Sequence, residues 1–251
     1  MRATLRGLVL PLLLLALWQV AALRGWADPR LLPPPAEVAA AAWAQLTGVT
    51  LLPNLLASLQ RALAGFAVGA ALGLTLGFLC GLSRLADLLL RPSFQALKSI
   101  AVFAWIPLIA IWFGFGETSR IVFIALAVFP VVVLNTWEGV RAAPGALLEV
   151  GAALRFTGMQ KLRRILLPAA LPSILTGLQL GLIHAWLATV GAEYFLAKGS
   201  GLGGILIEGR DRFDMALVLL GVVLLGGIGV GLNRLAVAGG ALLLPWRRAA
   251  N

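Results

Sequence analysis

The chain has 251 residues, 61% of them hydrophobic and only 12% charged, and its mean hydropathy of +0.98 lies far outside the balance of soluble domains. That composition excludes a water-soluble enzyme. The formal charge of +10 sits beside apolar runs, where it marks membrane topology, and not in an aromatic-interleaved basic patch, so nucleic acid is not an expected partner.

In chain order, long uncharged stretches predict six transmembrane helices: Leu8–Leu23, Leu63–Leu82, Ser99–Gly116, Ile121–Trp137, Ala169–Ala192 and Met215–Leu232, each near or above the roughly 20 residues that span a bilayer. The expected fold class is an all-α integral membrane protein with little left over for a soluble domain. Arg2 and Arg6 ahead of a leucine-rich run also resemble a signal peptide, but no small-x-small site precedes Asp28, so an uncleaved first span is expected. Placing the N-terminus in the cytoplasm puts Arg84, Arg91, Lys98, Arg141 and the Arg155–Arg164 cluster inside, with Arg247 and Arg248. Arg61, Arg120 and Lys198 then fall among the few basic residues outside. The positive-inside bias therefore selects an N-in, C-in topology. Segment Asp28–Leu56 lies outside, with a Pro33-Pro34-Pro35 break and an amphipathic run over Ala36–Leu46 suited to the membrane surface.

Within the second span Gly65, Gly69, Gly73, Gly77 and Gly81 recur every four residues. They leave one nearly flat helix face, which predicts a packing seam against a neighbouring helix. Pro107 in the third span removes a backbone donor and predicts a kink that can line a pathway. Polar groups at membrane depth are few: Asn135, His184 and, at the outer end of the fifth span, Glu193. Such groups face a bundle interior or a wet cavity. His184 is accordingly a candidate pathway residue and Glu193 a candidate outer gate. Trp186, Thr189 and Gln179 are donors able to meet an anionic solute. Gly199–Gly204 matches G-x-G-x-x-G only formally, because it follows a membrane helix with no βαβ unit around it, and reads as a flexible or re-entrant outer loop. With one histidine and one cysteine, Cys80, the chain has too few parts for a metal site, a disulfide or a catalytic triad. No cofactor of its own is expected.

The stretch Glu149–Pro172 carries the functional reading. Pro144 can start a helix; Leu147, Leu148, Gly151 or Ala152, and Leu154 then give a small, apolar face, followed by Arg155, Lys161, Arg163 and Arg164 and by the Leu167-Pro168 and Leu171-Pro172 breaks. A topology anchor needs only charge, whereas this segment places Glu149, small residues and prolines at defined spacing. It predicts a docking element for a partner outside the bilayer.

Here the chain resembles the permease subunits of bacterial ABC importers, in the branch for aliphatic sulfonates, taurine and nitrate. That family's signature runs Glu-Ala-Ala, three residues, Gly, nine residues, Ile-x-Leu-Pro, and Glu149, Gly151, Ile165, Leu167 and Pro168 stand in its register. Further matches are Ser58–Phe66, Gly81–Arg84, Trp105–Glu117, Leu167–Leu182 and the pairs at Phe129, Asn135, Ala185 and Ala192. The resemblance covers Ser58 to the C-terminus. It implies the type I importer permease fold of six helices: residues 1–57 form the first transmembrane helix and a periplasmic segment, and 58–251 the permease core with a cytoplasmic docking loop at 138–168.

What the resemblance implies further is a homodimer in the bacterial inner membrane, surrounded by lipid. Cytoplasmic ATP-binding subunits would carry ATP and Mg, and a periplasmic solute-binding protein would deliver a small anion. Glu149, Gly151, Ala152, Arg155, Gly158, Ile165, Leu167 and Pro168 would dock the ATPase. Pro107, His184, Trp186, Thr189 and Glu193 would line or gate the pathway. A self-sufficient secondary transporter or a non-transporting scaffold is the alternative. Two positions depart from the pattern. Arg155 replaces the signature glycine, so the turn is expected to shift to Gly158 and extend the docking helix by about 5 Å. Ala101-Val102-Phe103 replaces the usual prolines and leaves the shape of the third span open.

Overall fold

The computed structural model describes residues 2–26, 28, 30–48, 50–196 and 199–243, and no strand occurs among them. Helix α1, Arg2–Leu23, follows the leucine run, and α2, Pro35–Thr47, opens on a proline whose missing N–H would be unbonded there anyway. Helix α3 covers Leu51–Leu82, beginning well ahead of the expected second span. Ser83 then caps α4, Arg84–Ser99, by accepting from the Ala86 amide at 3.2 Å.

The third span departs from expectation. A bend of 93° separates α4 from the stretch Val102–Phe113, made of a 3-10 turn at Val102–Trp105 and α5 at Ile106–Phe113. The Ser99 hydroxyl donates to the Gln95 carbonyl at 2.8 Å, a local bond that competes with helix continuation. The extended residues Ile100 and Ala101 turn the chain. Pro107 does not kink a helix midway; it sits in the first turn of α5, where it breaks no bond.

After Gly114, at φ 71°, come α6, Glu117–Arg141, α7, Gly145–Ala153, and α8, Gly158–Lys161. A π-helical turn at Leu162–Leu166 leads into α9, Leu167–Phe195, and then follow α10, Leu202–Asp211, and α11, Met215–Leu243. The expected breaks at Leu167-Pro168 and Leu171-Pro172 do not occur, and the chain is helical from Gly158 to Phe195. For Pro168 the π turn is the physical reason: widening the helix ahead of it removes the clash of its ring with the carbonyl one turn back, whereas Pro172 is carried inside α9. Four helices among the described residues are long and apolar enough to cross a membrane, the bent α4–α5 pair has the composition of a broken span or a re-entrant loop, and Val9–Leu23 is a shorter apolar helix.

The chain divides into two compact units, Met1–Ser58 with Lys198–Ile228, and Leu59–Ala197 with Gly229–Asn251. In the first, the Trp18 indole donates to the Pro33 carbonyl at 3.0 Å. The glycine-rich stretch 199–204 is not simply a loop, because α10 starts inside it. The Asn54 side chain accepts from the Gly201 amide at 2.8 Å and the Ser58 hydroxyl from the Leu202 amide at 2.9 Å, satisfying amides that a helix start leaves open.

In the second unit α6 is the central element. Phe123, Ile124, Val128 and Val132 of α6 are fully buried with Ala185, Ala188 and Ala192 of α9 and Ile109 of α5. The α3 glycines face α6 in register: Gly65 meets Ile124, Gly69 meets Ala125 and Val128, Gly73 meets Val132, Gly77 meets Thr136 and Gly81 meets Val140. Gly177 of α9 comes as close to Asn135, and Gly181 somewhat less close to Val132. Backbones can approach this way only where side chains vanish, the association logic of helices in lipid.

Candidate functional site

Helix α7 is short and largely bare. Gly151 is its one buried residue, while Glu149, Val150, Ala152 and Leu154 are exposed. A Cβ at Gly151 would stand 2.7 Å from Ile165 Cδ1 and 3.4 Å from Phe156 Cδ2. Gly151 and Ile165, fourteen residues apart in the signature register, thus form one contact that holds α7 against the π turn. Leu147, Val150, Leu154 and Met159 remain exposed around it, an apolar surface flanked by Arg155, Lys161, Arg163 and Arg164.

The expected extension of this helix to Gly158 does not occur. Arg155 itself adopts the left-handed conformation, at φ 51°. The Arg155 amide donates to the Ala152 carbonyl at 2.9 Å and the Phe156 amide to the Gly151 carbonyl at 2.9 Å, the paired bonds of a Schellman stop. Phe156 seated over Gly151, with the Arg164 guanidinium 5.5 Å from its ring, supplies the apolar closure that offsets an arginine's left-handed strain of about 1–2 kcal/mol. Gly158 instead opens α8. There Thr157 and Gln160 form a capping box: the Gln160 amide donates to the Thr157 hydroxyl at 3.3 Å, and the Thr157 amide to Gln160 Oε1 at 2.8 Å. Leu167 and Pro168, both exposed, begin α9.

A second constellation was hidden by topology. Arg61 and Arg120, expected in outer loops, lie inside α3 and α6 and are nearly fully buried. Arg61 Nε and Nη2 each donate to Glu117 at 2.7 Å, and Nη1 donates to Glu193 Oε1 at 2.8 Å. Arg120 Nη1 donates to Glu117 Oε1 at 2.9 Å. Two arginines and two glutamates from α3, α6 and α9 therefore close a neutral set in which Glu193 is only 2% exposed. Buried charges persist when paired and hydrogen-bonded in this way. The arrangement clamps three helices, and Glu193 stands in it as an ion-pair partner. The signal was available in the sequence, since all four residues fall within a few positions of an expected outer span boundary.

At the other end of α6, Arg141 Nη1 donates to Asp87 Oδ2 at 2.7 Å, and the guanidiniums of Arg91 and Arg141 stand 4.7 and 5.5 Å from the Trp137 ring. Cys80 is buried beside this group.

The remaining expected pathway residues separate. Thr189 is buried, its hydroxyl donating to the Ala185 carbonyl of its own helix at 2.8 Å. Gln179 donates to the Ala236 carbonyl at 3.2 Å, and Trp186 is buried against Gly229. Thr189 is thus bonded within α9, while Gln179 and Trp186 meet the stretch Gly229–Ala236 of α11. His184 does line a cavity, with Lys98 and Trp105, and Pro107 is exposed in α5. Lys198, Arg247 and Arg248, and the side chains of Arg2 and Arg6, lie outside the described residues. No group of His, Cys, Asp and Glu able to hold a metal occurs among the described residues.

Residues 73–247 match the family model described as binding-protein-dependent transport system inner membrane component. An aliphatic sulfonates transport permease protein of Bacillus subtilis (strain 168) is 36% identical over 243 residues, covering 97% of this chain and 88% of that protein. Its namesake in Escherichia coli (strain K12) is 36% identical over 220 residues, 88% and 83% of the two chains. Among solved structures, an amino acid ABC transporter with histidines superposes with a TM-score of 0.64 at 14% identity, over 79% of this chain and 96% of that one. The helical bundle around α6, the signature contact of Gly151 with Ile165 and these matches agree: the chain belongs to the binding-protein-dependent inner membrane components, the permease subunits of ATP-driven importers.

Proposed function

We propose that two copies of this permease form the pathway for a small organic anion of the aliphatic sulfonate class, and that each copy is driven through α7 by a cytoplasmic ATP-binding subunit carrying ATP and Mg. The chain is not itself an enzyme; in this family ATP hydrolysis resides in separate subunits. A periplasmic binding protein hands the solute to the outer face. Closure of the ATP-binding subunits displaces α7, and the bundle exposes its cavity to the other side. The ligand acts by differential contact with two states, as any coupled transition requires.

The observation that carries this reading is the form of α7: nine residues, one buried glycine, and an apolar surface of Leu147, Val150 and Leu154 left uncovered. A helix of this length has no stability alone in water, and its own chain anchors it by a single edge. It suits insertion into a groove of a partner. The sulfonate class is supported by the names of the two relatives, and Lys98 in an otherwise largely apolar cavity is compatible with it.

Co-purification with the ATP-binding subunit tests the docking. Val150→Asp and Leu154→Asp alter exposed positions and leave the permease folded, and each is expected to abolish the complex. Wild-type association in both variants would show that α7 is not the docking element.

A further inference from the structure

In the second unit a cavity of about 250 Å³ opens where the chain bends between α4 and α5. We propose that this cavity is the solute's station within the permease, and that Lys98 selects the anionic head while Trp105, Leu126 and Pro130 receive a short apolar tail. This deepens, and rests on, the small-anion reading above.

Irregular backbone at membrane depth is tolerated where it is buried in protein or lines a cavity, and Ile100, Ala101 and Val102, at the break itself, all border this one. Lys98, in the last turn of α4, is the one full positive charge among its lining residues. On another wall His184 Nδ1 lies 2.8 Å from the Leu180 carbonyl. A carbonyl only accepts, so Nδ1 carries a proton there. The rest of the lining is aliphatic or aromatic. One cation on an apolar wall fits an amphiphilic monoanion, and the volume falls below the roughly 300–1,000 Å³ of pockets for drug-sized ligands.

The test is equilibrium binding of butanesulfonate to the permease with its ATP-binding subunit in nanodiscs, beside butanol and butylamine as neutral and cationic matches. Wild type is expected to hold the sulfonate about tenfold or more tightly than either, the factor given by a charge-assisted contact of about 1.4 kcal/mol. Lys98→Gln removes that preference and Lys98→Arg keeps it. Ala127→Leu fills the cavity without altering charge and weakens butanesulfonate more than ethanesulfonate. Absence of sulfonate binding in wild type, or full preference in Lys98→Gln, overturns the assignment. ATP hydrolysis stimulated by the binding protein is read in parallel. A complex that hydrolyses ATP normally while failing the binding test refutes only this station, whereas a permease that forms no complex refutes the importer mechanism proposed above.

Discussion

A methyl group added at Gly69 tests whether the glycine face of α3 is a seam or an accident of composition. The new Cβ would lie 2.6 Å from the Ala125 carbonyl oxygen and 2.8 Å from Val128 Cβ, where unstrained contact needs about 3.5 Å. Neither neighbour can rotate away, since one is backbone and the other a branch point at the helix surface. Helix α3 must therefore retreat from α6 by ~0.7–0.9 Å, a gap that forfeits a quarter to a half of the dispersion well along the seam. Overpacking of this kind costs about 1–3 kcal/mol. Against it stands the helix propensity gained on replacing glycine by alanine, about 0.8–1 kcal/mol. Gly226→Ala in α11 has the same propensity gain and meets nothing within 4 Å. Reversible unfolding of the two variants in one detergent, followed by far-UV circular dichroism, isolates the packing term. Gly226→Ala is expected to gain up to about 1 kcal/mol and Gly69→Ala to lose up to about 2. Equal stability of the two would refute the seam.

Three further outcomes follow from the same structure. Arg155→Gly relieves the left-handed strain at the end of α7 by about 1 kcal/mol, visible as slower hydrogen exchange at the Phe156 amide, while Arg155→Val speeds it; identical exchange in both would remove the strain argument. Glu193→Gln removes the carboxylate charge paired with Arg61 and is expected to cost ~2–4 kcal/mol, somewhat less than losing a buried partner outright because the amide still accepts. Unaltered thermal stability would show the clamp to be dispensable. Deleting Arg163 returns the π turn to an α-helical turn with its flanks in phase and restores the clash of the Pro168 ring with the carbonyl one turn back, a cost of about 3 kcal/mol. Thermal stability below that of Arg163→Ala is expected, and equal stability of the two would remove the role given to the π turn.

The membrane class and most span positions were legible because apolar length is a signal carried by each residue separately. The five α3 glycines were legible as a face because a helical period reports which residues share a side, and Gly151 and Ile165 as members of one register through the family signature they resemble. Tertiary partners were not. Arg61 reads as a loop charge until α6 and α9 bring Glu117 and Glu193 to it, and an isolated arginine beside an apolar run looks the same whether it snorkels to water or is buried in a pair. The stop at Arg155 was missed for a related reason. Steric preference argued for Gly158, but Phe156 closing over Gly151 decides the matter, and no local rule contains that contact. The bend at Ile100 likewise depends on where α5 finds its core, through Ile109, and not on Pro107.

The distribution of these features constrains how the second unit can move. Along α3, α6 and α9 the backbones approach through Gly65 to Gly81 on one side and Gly177 and Gly181 on the other, and interdigitated contacts of that kind have no smooth sliding coordinate. Charge pairs stand at both ends of α6: Arg61 and Arg120 with Glu117 and Glu193 at the first turn's end, Asp87 with Arg141 at the last. Displacing either end of α6 would separate buried or half-buried charges as well as packed methyl groups. The three helices therefore behave as one block. Apart from Gly114 just ahead of α6, irregular backbone lies in the segments that leave it: the bend at Ile100–Ala101, the left-handed Arg155 and the π turn at Leu162–Leu166. Of these, the last two lie between α7 and the block, and the first borders the Lys98 cavity. In the mechanism proposed above, work delivered at α7 would reach the bundle through Gly158–Leu166 at the foot of α9. A response at the cavity has to be expressed at the α4–α5 bend, since the seam between them cannot yield.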